Sequence, residues 1–163
     1  MAPGLRKAML AVHLTCSVGW IGTVMAYLAL GLTAVNSEDD NTIRAAWTAM
    51  ERIGWWVIVP LALLSLVTGL VMALGTRWGL FRHWWVIFSL VLTGFAVAVL
   101  LLHMPTVSAT ADQAQTVDGT ALVALGGDLG HPSIGLVVLL GVQVLNLYKP
   151  RGQTRHGRRS SAP

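Results

Sequence analysis

The chain has 163 residues, of which 55% are hydrophobic and only 11% charged, against about a quarter charged in soluble domains. A water-soluble globule of this length cannot hide so much apolar surface in one core, so lipid must solvate much of it. The formal charge of +4 invites a nucleic-acid reading, but no folded basic module and no base-stacking aromatics accompany the charge, which excludes that partner.

The first apolar segment, 8–35, is interrupted only by His13, Thr15, Ser17 and small residues. As a helix it covers about 40 Å, enough to span a bilayer with tilt. Arg6 and Lys7 in front of it resemble the start of a secretory signal. The run is much longer than the roughly 7–15 apolar residues of such a signal, and 33–37 is a poor cleavage site, so the segment reads as an uncleaved anchor. Cys16 lies inside it and is the sole cysteine, which rules out an intrachain disulfide.

The second span is expected over 53–74, preceded by an amphipathic helical extension over 41–52. Ile43, Trp47, Met50 and Val57 follow at i, i+4, i+7 and i+14, and Asp39, Asp40 or Asn41 supplies the cap. Pro60 removes a hydrogen bond to the carbonyl of Trp56 and predicts a kink. A link over 76–83 leads to the third span, 84–104, expected to end at Pro105. The loop 106–130 carries Asp112, Asp118 and Asp128 and no basic residue, with a weak interfacial helix over 115–125. The fourth span, 132–148, opens on Pro132, and the basic tail 149–163 is expected to be disordered. The fold class is therefore all-α: a four-helix, up-down transmembrane bundle.

Charge orients it. Arg6, Lys7, Arg77, Arg82, Lys149, Arg151, Arg155, Arg158 and Arg159 fall at the N-terminus, the second link and the tail, while only Arg44 and Arg52 fall in the alternate loops. Nine against two puts both termini in the cytoplasm. All seven acidic residues lie in the loops assigned outside, and the pairs Trp55–Trp56 and Trp84–Trp85 take aromatic-belt positions at opposite boundaries. The basic tail suits anionic lipid headgroups.

Ionisable groups inside a membrane are functional candidates by default. His13 lies roughly 9 Å inside the cytoplasmic edge. It either bonds Gln143 or Asn146 across to the fourth helix, as interhelical glue, or serves as a ligand or proton relay. His103 and His131 form the sharper pair, because the third helix ends and the fourth begins on the same side. Facing imidazoles hold haem iron, copper or zinc, and Glu51, Asp128 and Met104 lie at a similar level and could add ligands. His83, between Arg82 and Trp84, reads as an interfacial anchor. Thr15, Gly19, Thr23, Gly135 and Gly141 suggest close helix packing. No phosphate loop, nucleotide fingerprint, serine elbow or zinc-protease motif is present, which disfavours an enzyme.

The stretches His13-Leu-Thr-Cys-Ser-Val-Gly-Trp20, Trp78-Gly-Leu-Phe-Arg-His-Trp-Trp-Val86 and Leu147-Tyr-Lys-Pro-Arg-Gly152 resemble a family of small integral membrane proteins from high-GC Gram-positive (actinobacterial-type) bacteria, a domain of unknown function. The resemblance implies four helices and the bacterial cytoplasmic (inner) membrane, and it supplies no activity. The first-helix histidine followed by Gly-Trp is more loosely similar to the copper-resistance membrane domain and the membrane protoporphyrinogen oxidase. Two functions follow as expectations. One is a bundle binding b-type haem or a transition metal such as copper through His103 and His131 near the outer face. The other is a non-catalytic accessory subunit docking on another membrane protein, or on further copies of itself.

Overall fold

The computed structural model describes residues 1–76, 79–150 and 152–154. The chain is helical: α1 Pro3–Asn36, α2 Asp40–Ile53, α3 Val59–Gly75, α4 Trp84–Ala114, α5 Gly119–Val123 and α6 Gly130–Tyr148. A π-helical turn, Gly54–Ile58, joins α2 to α3 without a break. Four rods are thus long and apolar enough to cross a membrane: Pro3–Asn36, Asp40–Gly75, Trp84–Ala114 and Gly130–Tyr148. Most residues in their apolar windows face outward, as lipid-solvated helices require.

The rods pack as a ring. α1 packs against α2–α3 on one side and α6 on the other, and α4 closes the circle between the same two neighbours. α1 and α4 therefore face each other across the bundle. One end carries the connections 37–39 and 115–129 and the acidic residues; the other carries the link 76–83 and both termini of the bundle. We call them the acidic and basic ends.

The helices run further than hydropathy indicates. α4 does not stop at Pro105 but continues to Ala114. A proline inside a helix costs about 3 kcal/mol. That cost is offset by burial of Met104, Val107, Ala111 and Ala114 in one cluster with Ile43, Trp47 and Met50 of α2 and Leu122 of α5. Among the described residues the most completely buried large side chains, Ile43, Met50, Met104, Val107 and Leu122, all lie here. The amphipathic extension expected before the second span is therefore a packing partner rather than a free projection.

Val57, expected to continue the apolar stripe of α2, is exposed, and Ile58 is buried in its place. The π turn explains the slip. The amide of Val59 reaches back five residues to the carbonyl of Gly54, so one extra residue enters the turn and rotates the face of everything beyond it. The same widened turn makes room for the ring of Pro60, where a kink was expected.

Asp39 caps α2, accepting from the amide and hydroxyl of Thr42 at 2.9 and 2.7 Å. Those bonds hold its carboxyl below the usual carboxylate range. The cap's contribution is accordingly full at neutral pH and is lost as the pH falls through that lowered value. Within the loop 106–130, the expected interfacial helix shrinks to the five residues of α5. Of the tail expected to be disordered, Gly152–Thr154 folds back on the link: the amide of Trp84 donates to Gly152 and that of Thr154 to Arg82, at 3.2 and 3.0 Å. The remainder, 155–163 with His156, and Arg77, Trp78 and Arg151 lie outside the described residues.

Arg44 ties the acidic end together. Its guanidinium donates to the carbonyls of Ala114 and Val117 at 3.0 and 2.8 Å and pairs with Asp118, closing the C-terminus of α4 where the helix dipole favours a cation. Arg44→Ala is expected to destabilise the protein in detergent by about 1–3 kcal/mol. Amide exchange should quicken across 115–125 and stay unchanged in the middle of α1; uniform quickening would contradict a local role.

Candidate functional site

On α1, Trp20, Val24, Tyr27, Gly31 and Ala34 form one buried stripe at helical spacing. Tyr27 is the polar member, and a buried phenol requires a partner. The partner arrives from the far end of the chain because two glycines let it. A methyl group on Gly31 would press on Leu129 Cδ2 and the carbonyl of Asp128 at 2.9 and 3.0 Å, and one on Gly127 would overlap the carbonyl of Gly31. The loop backbone thus lies directly on the helix backbone. Gly126, at φ +61°, makes the turn into this contact, and its carbonyl accepts from the Trp47 indole at 3.1 Å.

That seating aims Asp128 inward. Its Oδ2 accepts from the Tyr27 hydroxyl at 2.8 Å and meets His103 Nε2 at 2.8 Å. Asp128 and His103 side chains are only 10% and 17% exposed. With Tyr27 donating, a carboxylate at Asp128 takes its second bond from the Nε2–H of His103, which leaves the lone pair of Nδ1 for another partner. His131, in the first turn of α6, stacks on His103 with ring centroids 3.9 Å apart and planes 24° apart. One ligand atom from each of His103, Asp128 and His131 lies within 4.8 Å of the others. Beneath them, a cavity of about 250 Å³ is walled by Trp20, Val24, Phe95, Leu100 and Val138, so the polar groups sit over an apolar chamber.

The structure brings together His103, His131 and Asp128 of the residues singled out in the sequence. It does not bring in the others. Glu51 is outside the cluster. Met104 is 1% exposed and packs its thioether against Gly54, as core. His13 bonds Thr68 Oγ1 of α3 at 2.9 Å rather than Gln143 or Asn146, and Asn146 instead accepts from Ser89 at 2.8 Å. All of these but Thr68 line a second cavity toward the basic end. His83 lies in the link, its ring 6.4 Å from that of Trp85. Gly135 and Gly141, expected at close helix contacts, face open space. Sequence reading missed Tyr27 and the Gly31–Gly127 contact. The signal available was a lone tyrosine in the buried stripe, four residues before a glycine.

Gly127→Ala should therefore disturb the cluster while leaving the identity of every one of its side chains unchanged. The variant is expected to unfold at lower temperature and to lose the Tyr27–Asp128 bond, read as a shift of tyrosine absorption or of the Tyr27 hydroxyl resonance. Gly94→Ala, where an added methyl meets nothing within 4 Å, serves as the control. An unaltered tyrosine signal in Gly127→Ala would contradict the seating role.

No protein-family model, curated protein or solved structure matches this chain, so the reading of the site rests on its own geometry.

Proposed function

We propose that this is a multi-pass protein of the bacterial cytoplasmic membrane that binds a divalent transition-metal ion, zinc or copper, at the outer end of its bundle. The observation that carries the reading is the convergence of His103, Asp128 and His131, with ligand atoms within 4.8 Å of one another, at one end of four membrane-length helices. Imidazole nitrogen and carboxylate oxygen suit both ions. The hydrogen bonds that Asp128 makes with Tyr27 and His103 keep its carboxylate at the cluster. The excess of basic residues at the opposite end supports an outward-facing site.

The stacking favours a small ion over haem. Two axial imidazoles must lie on opposite faces of a porphyrin, whereas these rings are in van der Waals contact with no space for a macrocycle between them.

Metal analysis of purified protein after incubation with zinc or copper and dialysis tests the reading. Stoichiometric retention is expected, weakened at least about tenfold in His103→Ala and in His131→Ala and unaffected in His83→Ala. Affinity should fall as the medium is acidified, since protons compete with the metal for imidazole nitrogen. In intact spheroplasts an impermeant chelator should strip the ion from outside. A chain that stays metal-free sinks the proposal, and a Soret band in its place would restore haem.

A further inference from the structure

Toward the basic end lies a larger cavity, about 340 Å³, within the size range of ligand sites. Polar side chains from all four rods converge on it: His13 and Ser17 of α1, Ser65 of α3, Ser89 of α4, and Gln143 and Asn146 of α6. Such side chains bond helix to helix in lipid, and here they also gather around open space rather than along a closed seam. The rest of the wall is mainly apolar, with leucines, Met72, Trp85 and Val86, and it adds Thr76, Thr93 and Lys149, the last being the single charged group lining it among the described residues. Among the described residues no carboxylate lines it.

The hydrogen bonds fix what the wall offers. Thr68 Oγ1 donates to the carbonyl of Leu64 at 2.6 Å, so it accepts from Nδ1–H of His13. The imidazole then presents Nε2 as a bare acceptor. Ser17 donates to the carbonyl of His13 and therefore accepts from Ser65, both at 2.8 Å. Ser89 donates to Oδ1 of Asn146, leaving the amide Nδ2 as a donor. No enclosed polar side-chain atom among the described residues lacks a partner, so Nε2 of His13 and Nδ2 of Asn146 are open to an occupant. His13 is also held in place sterically: a methyl on Gly69 would meet its Cε1 at 3.2 Å.

An acceptor, amide donors, one cation, no anion and an apolar wall define the complement. We infer that this cavity binds a phosphate-bearing polyol: the phosphate at Lys149, a hydroxyl donating to His13 Nε2, and ligand oxygens accepting from Asn146 and Gln143. A choline headgroup does not satisfy it, because its ammonium has no hydrogen to donate and meets Lys149 with like charge. The chemistry is shared by the headgroup of phosphatidylglycerol and by free glycerol phosphate. The inference is independent of the metal site.

The test uses the full-length protein in nanodiscs of equimolar phosphatidylcholine and phosphatidylglycerol, with bound lipid counted by native mass spectrometry. Phosphatidylglycerol should be retained over phosphatidylcholine, and His13→Ala and Lys149→Gln should each weaken it by about tenfold. Gly69→Ala, which displaces the imidazole without removing it, should weaken it in the same direction. Melting temperatures of the variants separate loss of the site from loss of the fold, and Lys149→Gln lies outside the packed core. His13→Ala leaves the surface charge untouched, so loss in that variant separates the cavity from general attraction of anionic lipid to the basic tail. Displacement of bound lipid by glycerol phosphate, or binding of glycerol phosphate alone, assigns the soluble source; resistance to it assigns the lipid. Retention that survives His13→Ala in folded protein, or the absence of both phosphatidylglycerol preference and glycerol phosphate binding, overturns the inference.

Discussion

The contact between the backbones of Gly31 and Gly127 is the constraint on which the acidic end depends. Neither residue has a side chain to contribute, and that lack lets the loop before α6 lie on α1 at main-chain distance. Asp128 follows by one residue and Tyr27 precedes by one helical turn, so the approach sets their meeting. His103 and His131 then join through Asp128 and through ring stacking. A carboxylate placed this deep needs its hydrogen bonds, because an unpaired charge in a low-dielectric setting is costly. The cluster is therefore coupled: moving the loop exposes or orphans Asp128, and with it the orientation of His103.

A second constraint comes from the two solvents the chain meets. Along the membrane-length windows the helices share few fully buried large side chains, since lipid solvates leucine as well as another helix does. α2, the end of α4 and α5 instead bury a dense cluster around Met50, Val107 and Leu122. Arg44 then satisfies the carbonyls left at the end of α4. This cap supports the site from outside, holding the loop whose far end presents Asp128, and Trp47 joins the two through its bond to Gly126.

The interior polar groups divide in the same way between ends. Histidine, tyrosine and aspartate gather over an apolar chamber at one end, and histidine, serines and side-chain amides line a chamber at the other. A single layer separates them. Ser17 lines one chamber and Trp20 the other, and Gln143 and Leu139 divide likewise, about one turn apart on each helix. The bundle is thus two cavities on a shared frame rather than one uniform core.

Much of the frame is legible in the residues taken in order. Four apolar runs, their approximate limits, a cap among Asp39, Asp40 and Asn41 and the amphipathic face of α2 follow from hydropathy, period and residue type, which are local properties of the chain. That His103 and His131 share one end of the bundle is also legible, because one helix ends and the next begins on the same side; their stacking depends on the order of helices around the ring. What folding alone decided is of another kind. Pro105 stays inside α4 because distant residues bury that helix's final turns. Val57 leaves the core because a π turn shifts its phase. His13 bonds Thr68 because α3, not α6, faces it, and Tyr27 finds Asp128 because two glycines 96 positions apart happen to touch. In lipid the apolar pattern says that a helix crosses without saying which neighbour it meets. That choice falls to close steric fits and a few hydrogen bonds, and these exist only once the whole ring has assembled.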